Sequence, residues 1–557
     1  MKEMDAFDGW SRRDFAKGML KAGGLASLVA HAPSPQPNHV GRRVSSDPSG
    51  YFDVRKFGAV NDGSALSTRA IQDAVDSCAK SGGGVVHFPP GEYLSGTIFL
   101  KSGVCLDLSA GSLLKGSTHL EDYPPAVPAL HSYTNTYVNR SLIYGENLEN
   151  IGLTGQGVID GQGHAFHGEY TALAESLIPS KTRPFLIRII QCRNVTIKGL
   201  TLRNSAMWMQ HYLACENLLV DGITVLNLPN GERRSFYNND GIDIDSCRQA
   251  RILNCSFRTE DDSLCFKSTT STPCRDIVAS NCLIMSKCNG IKCGTESVGG
   301  FQNIAISNCT LYETEVSGIA LEMVDGGKFD GVVISNITMR EVSCPVFVRL
   351  GDRGRPVSKD DPKLDIGSMR NITISNIEAT GANRIGCSIT GLPGNYIENV
   401  KLANIRIAFA GGGTVQDAHR TPEEKAADYP EYSMFGTLPS YGFFVRHAQN
   451  LLFDHLDLAT ATPDFRPALH CSDVESIEVS GLKSLGQGQG SPLICLEEAR
   501  GALIHDCWVP DGAANVLQVY GAKSSNIQLY SNCRSVKKSD VEIDREAHRP
   551  SVSYESK

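Results

Sequence analysis

The sequence predicts an all-β solenoid, a right-handed parallel β-helix with a short helical cap at its N-terminal end. Three observations carry this: a short motif that recurs along the chain, the near-constant spacing of its copies, and one early stretch with helical periodicity. The motif is read in "LENIGL", "CRNVTI", "CENLLV", "CRQARI", "CRDIVA", "FQNIAI", "FDGVVI", "MRNITI", "IENVKL", "AQNLLF", "VESIEV", "ARGALI" and "SSNIQL". Its third position is Asn150, Asn194, Asn217, Gln249, Asp276, Asn303, Gly331, Asn371, Asn399, Asn450, Ser476, Gly501 and Asn526. Copies from Gln249 to Gly331 follow at 27, 27 and 28 residues, and those from Asn450 to Asn526 at 26, 25 and 25. A turn-favouring polar residue followed by alternating apolar residues, repeated at this period, describes coils that bury their apolar faces only by stacking. Asparagine suits the turn because it tolerates left-handed backbone and its amide can bond the coils on either side.

The cap is read in "STRAIQDAVDSCAKSGGG", where Ile71, Ala74, Val75 and Cys78 recur at helical spacing and Gly82–Gly84 ends the run. One amphipathic helix there would cover the open end of the solenoid. The expected organisation is residues 1–50 as export signal and linker, 51–535 as a single β-helix catalytic domain, and 536–557 as a polar tail. Arg12–Arg13, Phe15 and Lys17 before a modest apolar stretch have the form of a twin-arginine signal, with Ala30-His31-Ala32 before Pro33 as a candidate cleavage site. A periplasmic or secreted location is therefore expected. No apolar run reaches the roughly 18 residues of a spanning helix. The stretch 405–440, rich in Gly, Pro and charge, reads as an insertion that either lines the functional face or forms a surface loop.

Lys and Arg number 53 against 61 Asp and Glu, a net charge of −8, and no long basic run occurs. Nucleic acid and membranes are not expected partners. The chain has 18 cysteines. Several flank the repeated motif in register, which suits buried free thiols more than disulfides. Cys282, Cys288 and Cys293 lack a clustered fourth ligand, so no metal or other cofactor is expected.

The stretch "RTEDDSLCFKS" sets Glu260, Asp261 and Asp262 before a strand-like run, and Asp240 precedes Asp261 by 21 residues, roughly one coil. Asp261 and Asp262 would face opposite sides of a regular strand, so a bend or bulge is expected at its start. Two or three carboxyl groups on a rigid face suit glycoside hydrolysis, in which one group must be protonated and another ionised. Close like charges split their proton affinities in that way.

With "FDVRKFGAVNDG", "GGGVVHFPPGEYLSGTIFLKSGVCLDL" and "GSLLKGS", the chain resembles the polygalacturonase-like glycoside hydrolases of family 28 over roughly residues 50–530. The family's Asn-x-Asp motif matches Asn238–Asp240 and its Asp-Asp motif matches Asp261–Asp262. The resemblance implies inverting hydrolysis of a polysaccharide or oligosaccharide, with Asp261 as general acid and Asp240 and Asp262 holding the attacking water. Asn289 stands where the family has the histidine of Gly-His-Gly, so any tuning role would shift to Lys292 or Lys267. Ala320 and Glu322 stand where the family has the two cations of Arg-Ile-Lys. Arg349, Arg353 and Arg355 either rebuild an anion site or solvate a turn. Trp208, with Gln210 and His211, either forms a sugar platform or belongs to the core. Asn238, Lys267, Asn289, Lys292, Glu322, Arg349, Arg353, Trp208 and His211 form the expected substrate-binding set, and Glu260 is expected to face solvent. Two other readings fit the same fold: a polysaccharide lyase, and a non-catalytic carbohydrate-binding β-helix.

Overall fold

The computed structural model describes residues 50–136, 139–166, 182–227, 238–358, 360–487, 491–508, 515–530, 541–544 and 552–554. The expected export signal lies outside them. The named strands join one another through parallel ladders, giving a right-handed parallel β-helix in the usual sense of parallel crossovers. One interior column shows how it is held: Leu106, Leu153, Ile197, Val220, Ile252, Ala279, Ile306, Ile334, Ile374, Leu402, Phe453, Val479, Ile504 and Leu529 stack in register, one per rung. All are buried. An alternating strand places such a residue on the inner face of each rung, and stacking removes it from water.

The turns follow the motif. All thirteen third-position residues have left-handed backbone, with φ from 53° to 74°. Their amides form ladders: Asn399 donates to Asn371 at 2.9 Å and Asn450 to Asn399 at 3.1 Å. Where Gly331 offers no side chain, Asn371 turns to Asp330 at 2.6 Å. A second ladder runs through Asn308, Asn336, Asn376 and Asn404 at 2.9–3.2 Å.

The cap is the helix Thr68–Lys80, which buries Ile71, Ala74, Val75 and Cys78. It also satisfies a strand edge: the Gln72 amide donates to Phe99 O at 3.0 Å and accepts from Phe99 N–H at 2.9 Å. At the other end the solenoid runs past the expected boundary at 535. Val541–Ile543 and Val552–Tyr554 pair with Leu517–Tyr520 and Ser525–Tyr530, because Val541, Ile543 and Val552 still pack on the core. Of the 17 described cysteines all but Cys105 are buried.

The insertion is shorter than read from sequence. Strand Ile397–Gly411 continues into it, so the departure from the solenoid begins at residue 412 and ends before strand Phe443–Asp464. Fully buried Arg466 pins its base. It pairs with Asp464 at 2.8 Å and donates to the carbonyls of Arg384, Ile385, Leu438 and Ser440.

Candidate active site

Four rungs build the site. Ile242, Leu264, Ile291 and Ile319 are aligned in register. Asp240, Asp262, Asn289 and Ser317, each two residues earlier, therefore occupy the same position on successive rungs. It is Asp262, not Asp261, that stacks on Asp240. The chain bends at Glu260, Asp261 and Ser263, and the bend brings both adjacent acids to one place. Thr259 Oγ1 and Ser286 Oγ hold it by donating to Asp261 O at 2.6 and 2.7 Å. Oxygens of Asp240 and Asp262 come within 4.8 Å of each other, as do those of Asp261 and Asp262. The Asp261 carboxylate accepts from the backbone N–H groups of Asn238 at 2.7 Å and of Asp262 at 2.9 Å.

Two lysines neutralise this cluster. Lys292 Nζ lies 3.0 Å from Asp262 and 3.7 Å from Glu322. Lys267 Nζ lies 3.6 Å from Asp240, 3.5 Å from Asp243 and 3.2 Å from Glu296. Glu296 reaches Lys267 through an irregularity in the ladder: Phe266 faces Cys293, but Ser268 faces Ser297, so the extra residues bulge outward there. Asn289 takes the place beside Asp262, donating to its Oδ1 from the amide at 2.8 Å and accepting from Ser317 N–H at 3.1 Å.

The environments split the proton affinities. Burial raises Asp240 well above the ordinary carboxylate range, and Asp243 and Asp261 add to the shift. Burial also acts on Asp262, but Lys292 and Lys267 outweigh it and lower the group to about 2. Burial thus favours the neutral form of Asp240 and the lysines favour the ionised form of Asp262, a contrast that acid–base hydrolysis can use. Burial raises Asp243 to about 8 despite Lys267, and Glu322 to about 7 despite Lys292.

Several expected contacts fall elsewhere. His211 is fully buried, with Nε2 3.1 Å from Asp245, and cannot touch substrate. Trp208 is core: it packs on Phe185 and His211, with Lys267 Nζ 4.7 Å from its ring centre. Arg349 is buried beneath the insertion and donates to Glu424 O at 2.7 Å, so it anchors that segment and forms no anion site. Arg353 is committed to Asp325 at 2.6 Å and to Thr295 O at 2.7 Å. Arg355 is committed to Glu296 at 2.9 Å and Asp325 at 3.2 Å. Glu322 lies beneath the face as a counter-ion of Lys292, close enough to Gly294 that a Cβ there would come within 2.8 Å of it. Glu260 is buried, because the bend turns it inward. Asn238 stays at the rim, its Oδ1 accepting from Arg183 at 3.1 Å.

Sequence reasoning missed Asp243, Glu296 and Tyr429. Asp243 is visible in "NNDGIDID" as a further acid beside the motif. Tyr429 comes from the insertion: its hydroxyl is 3.5 Å from Lys292 Nζ, and its ring lies 5.7 Å from Nζ and 5.9 Å from the Arg353 guanidinium. At 59% exposure it is the open aromatic surface beside the carboxylates.

Known proteins place the chain in a family. A family model described as glycosyl hydrolases family 28 matches residues 78–427. The chain is 29% identical to a probable polygalacturonase of Vitis vinifera over 378 residues, 64% of this chain and 73% of that one. It is 23% identical to an exo-poly-alpha-D-galacturonosidase of Dickeya chrysanthemi, over 60% of this chain and 63% of that one. Its fold matches the family 28 exopolygalacturonase of Yersinia enterocolitica with a TM-score of 0.56 at 21% identity, covering 81% of this chain and 78% of that one. The family match spans more than half of the sequence and contains all three aspartates, and on that ground the chain belongs to glycosyl hydrolases family 28 and is a glycosidase.

Proposed function

We propose that this chain is an exported, inverting glycosidase that removes units from the ends of a pectic or related acidic polysaccharide. The observation that carries the reading is the cluster of three acids, in which oxygens of Asp240 and Asp262, and of Asp261 and Asp262, lie within 4.8 Å of each other. In this reading water attacks the anomeric carbon and gives its proton to Asp262, while Asp240 orients the water. Asp261, the most open of the three acids, protonates the departing oxygen. The burial and like charges that favour the neutral form of Asp240 support a second assignment, in which Asp240 is the acid. A substrate with a good leaving group separates the two: the variant lacking the general acid keeps much of its rate on an activated aryl glycoside, and the variant lacking the base does not. Asp261→Asn and Asp240→Asn should be compared on that substrate.

The pectic class is supported by the names the relatives carry. A modified or rhamnogalacturonan-type segment is favoured over plain polygalacturonate because Arg353 and Arg355 are already paired and Glu322 replaces a cation. Tyr429 takes the platform role first considered for Trp208. Chain-end action is supported by the insertion, whose Tyr429 stands over Lys292 at the border of the site. The lyase alternative needs a neutral base. Burial opposes charge on Lys292, but Asp262 and Glu322 outweigh it and keep the amine protonated. Proton NMR of the first product tests inversion, and a retained anomer would sink the mechanism. A panel of pectic oligosaccharides labelled at the reducing end tests the rest; products shortened at random positions would remove chain-end action.

A further inference from the structure

The column that carries Lys292 continues along the same sheet through Ala320, Phe347, Ser388 and Phe444 to His470. Five rungs at ~4.8 Å place His470 about 24 Å from Lys292. There a concavity of about 610 Å³ opens, within the usual size of small-molecule sites. Its floor is the register pair His470–Cys495 with Glu497, Gln518 and Tyr520, its walls are Phe465 and the inserted segment around His419 and Arg420, and Glu498 and Asp544 also line it, so a bound carboxylate must lie on the Arg420 side. The insertion therefore meets the acid cluster through Tyr429 beside Lys292 and this concavity through Arg420.

The floor holds an unusual polar group. His470 is 8% exposed, and its Nε2 lies 3.6 Å from Glu497 and 4.0 Å from Cys495 Sγ. Burial opposes its charge, but Cys495 and Glu497 beside the ring outweigh that and raise it to about 9. Its buried Nδ1 has no hydrogen-bond partner among the described residues, and an unsatisfied buried polar atom calls for an explanation. Arg420 is exposed and has no ion pair among the described residues. Phe465 is 39% exposed at the rim. An open aromatic face, an uncommitted guanidinium and polar groups converging in one cavity suit a sugar ring that carries a carboxylate.

We propose that this cavity is a second, non-catalytic binding site for a uronate-bearing oligosaccharide, with Phe465 as its stacking surface and Arg420 as the carboxylate partner. The choice of saccharide rests on the function proposed above; the site itself does not. A polymer held there would be kept near the catalytic face.

The test is calorimetric titration of the full-length Asp261→Asn chain with a galacturonate tetramer, repeated with Phe465→Ala and with Arg420→Ala added. Both positions are exposed, so folding is expected to survive, and unchanged thermal melts would verify it. A binding event weakened about tenfold by either added change is expected, whether or not the catalytic face also takes up the tetramer. In the otherwise native chain the same two changes should leave kcat/KM on a trimer unaltered and raise KM on long polymer several-fold. A single binding event insensitive to both changes overturns the proposal. If the native chain cleaves no pectic substrate while Phe465→Ala still abolishes a binding event, the catalytic reading falls and the second site stands.

Discussion

Two ladders of polar side chains run along this solenoid, and they behave in opposite ways. At the turns, Asn371, Asn399 and Asn450 pass one hydrogen bond per rung. Each amide both donates and accepts, so the ladder is neutral and can repeat over many coils. On the catalytic face Asp240 and Asp262 occupy equivalent places on adjacent rungs, and a carboxylate only accepts. That stack cannot repeat without counter-ions, and it ends after two acids, where Asn289 resumes the amide pattern. One register thus gives scaffold where the side chain is self-complementary and chemistry where it is not. The charged ladder keeps Lys267 and Lys292 as its counter-ions, and the unequal sharing of those lysines separates acid from base.

Removing the charge that matters most should break the comparison hardest. Asp262→Asn makes the catalytic stack amide-like, and kcat should fall by about 10³-fold or more on the natural substrate, with folding intact. Steady-state rates with a melting curve check this; a fall under tenfold would remove Asp262 from the chemistry. Lys292→Met leaves Asp262 and Glu322 buried without their cation and should cost about 3–5 kcal/mol in denaturant unfolding. The double change Lys292→Met with Asp262→Asn should recover part of that loss.

The charged ladder also makes stability depend on pH. Glu322, raised to about 7, and Asp243, raised to about 8, bind protons in the folded state that the unfolded chain has already released above its ordinary carboxylate values of 4.5 and 3.8. Their contribution is complete at low pH and is lost as pH rises through the folded values. Unfolding free energy should therefore decline between about pH 5 and pH 8, and Glu322→Gln should flatten that decline. A slope unchanged by the substitution would place the effect elsewhere. The neutral ladder should respond only mildly: Asn399→Ala removes two amide bonds and leaves at φ 56° a residue without asparagine's tolerance of left-handed backbone, costing about 1–2 kcal/mol without changing kcat. Asn399→Gly should cost less, because glycine accepts that backbone. The smallest effect is expected for Tyr429→Ala, which should raise KM several-fold, about 1 kcal/mol of binding, with kcat nearly unchanged.

What was readable in the sequence follows the same division. The neutral turns were readable because backbone geometry selects the residue: every third-position site has positive φ, whether Asn, Gln, Asp, Ser or Gly fills it. The nearness of Asp240 to Asp261 and Asp262 was readable because one rung of the solenoid is one interval of sequence. The contributions that were not readable come from outside that periodicity. Tyr429 meets Lys292 across 137 residues, with no spacing to announce it. Arg349 looked like an available cation, and only the path of the insertion shows it spent on backbone carbonyls. Glu322 looked like a charge facing substrate, whereas the bulge at Gly294 and the position of Lys292 make it a counter-ion.

The cap has a consequence for how such a molecule can change size. Every rung is a template for the next, so an uncovered first rung would invite another chain to add to it. Gln72 closes that edge with two hydrogen bonds to Phe99, and the helix covers the apolar end. Length is therefore decided between the ends. Coils can be gained or lost in the middle by whole units of the repeat, lengthening or shortening the face on which saccharides lie, while the terminator stays as it is.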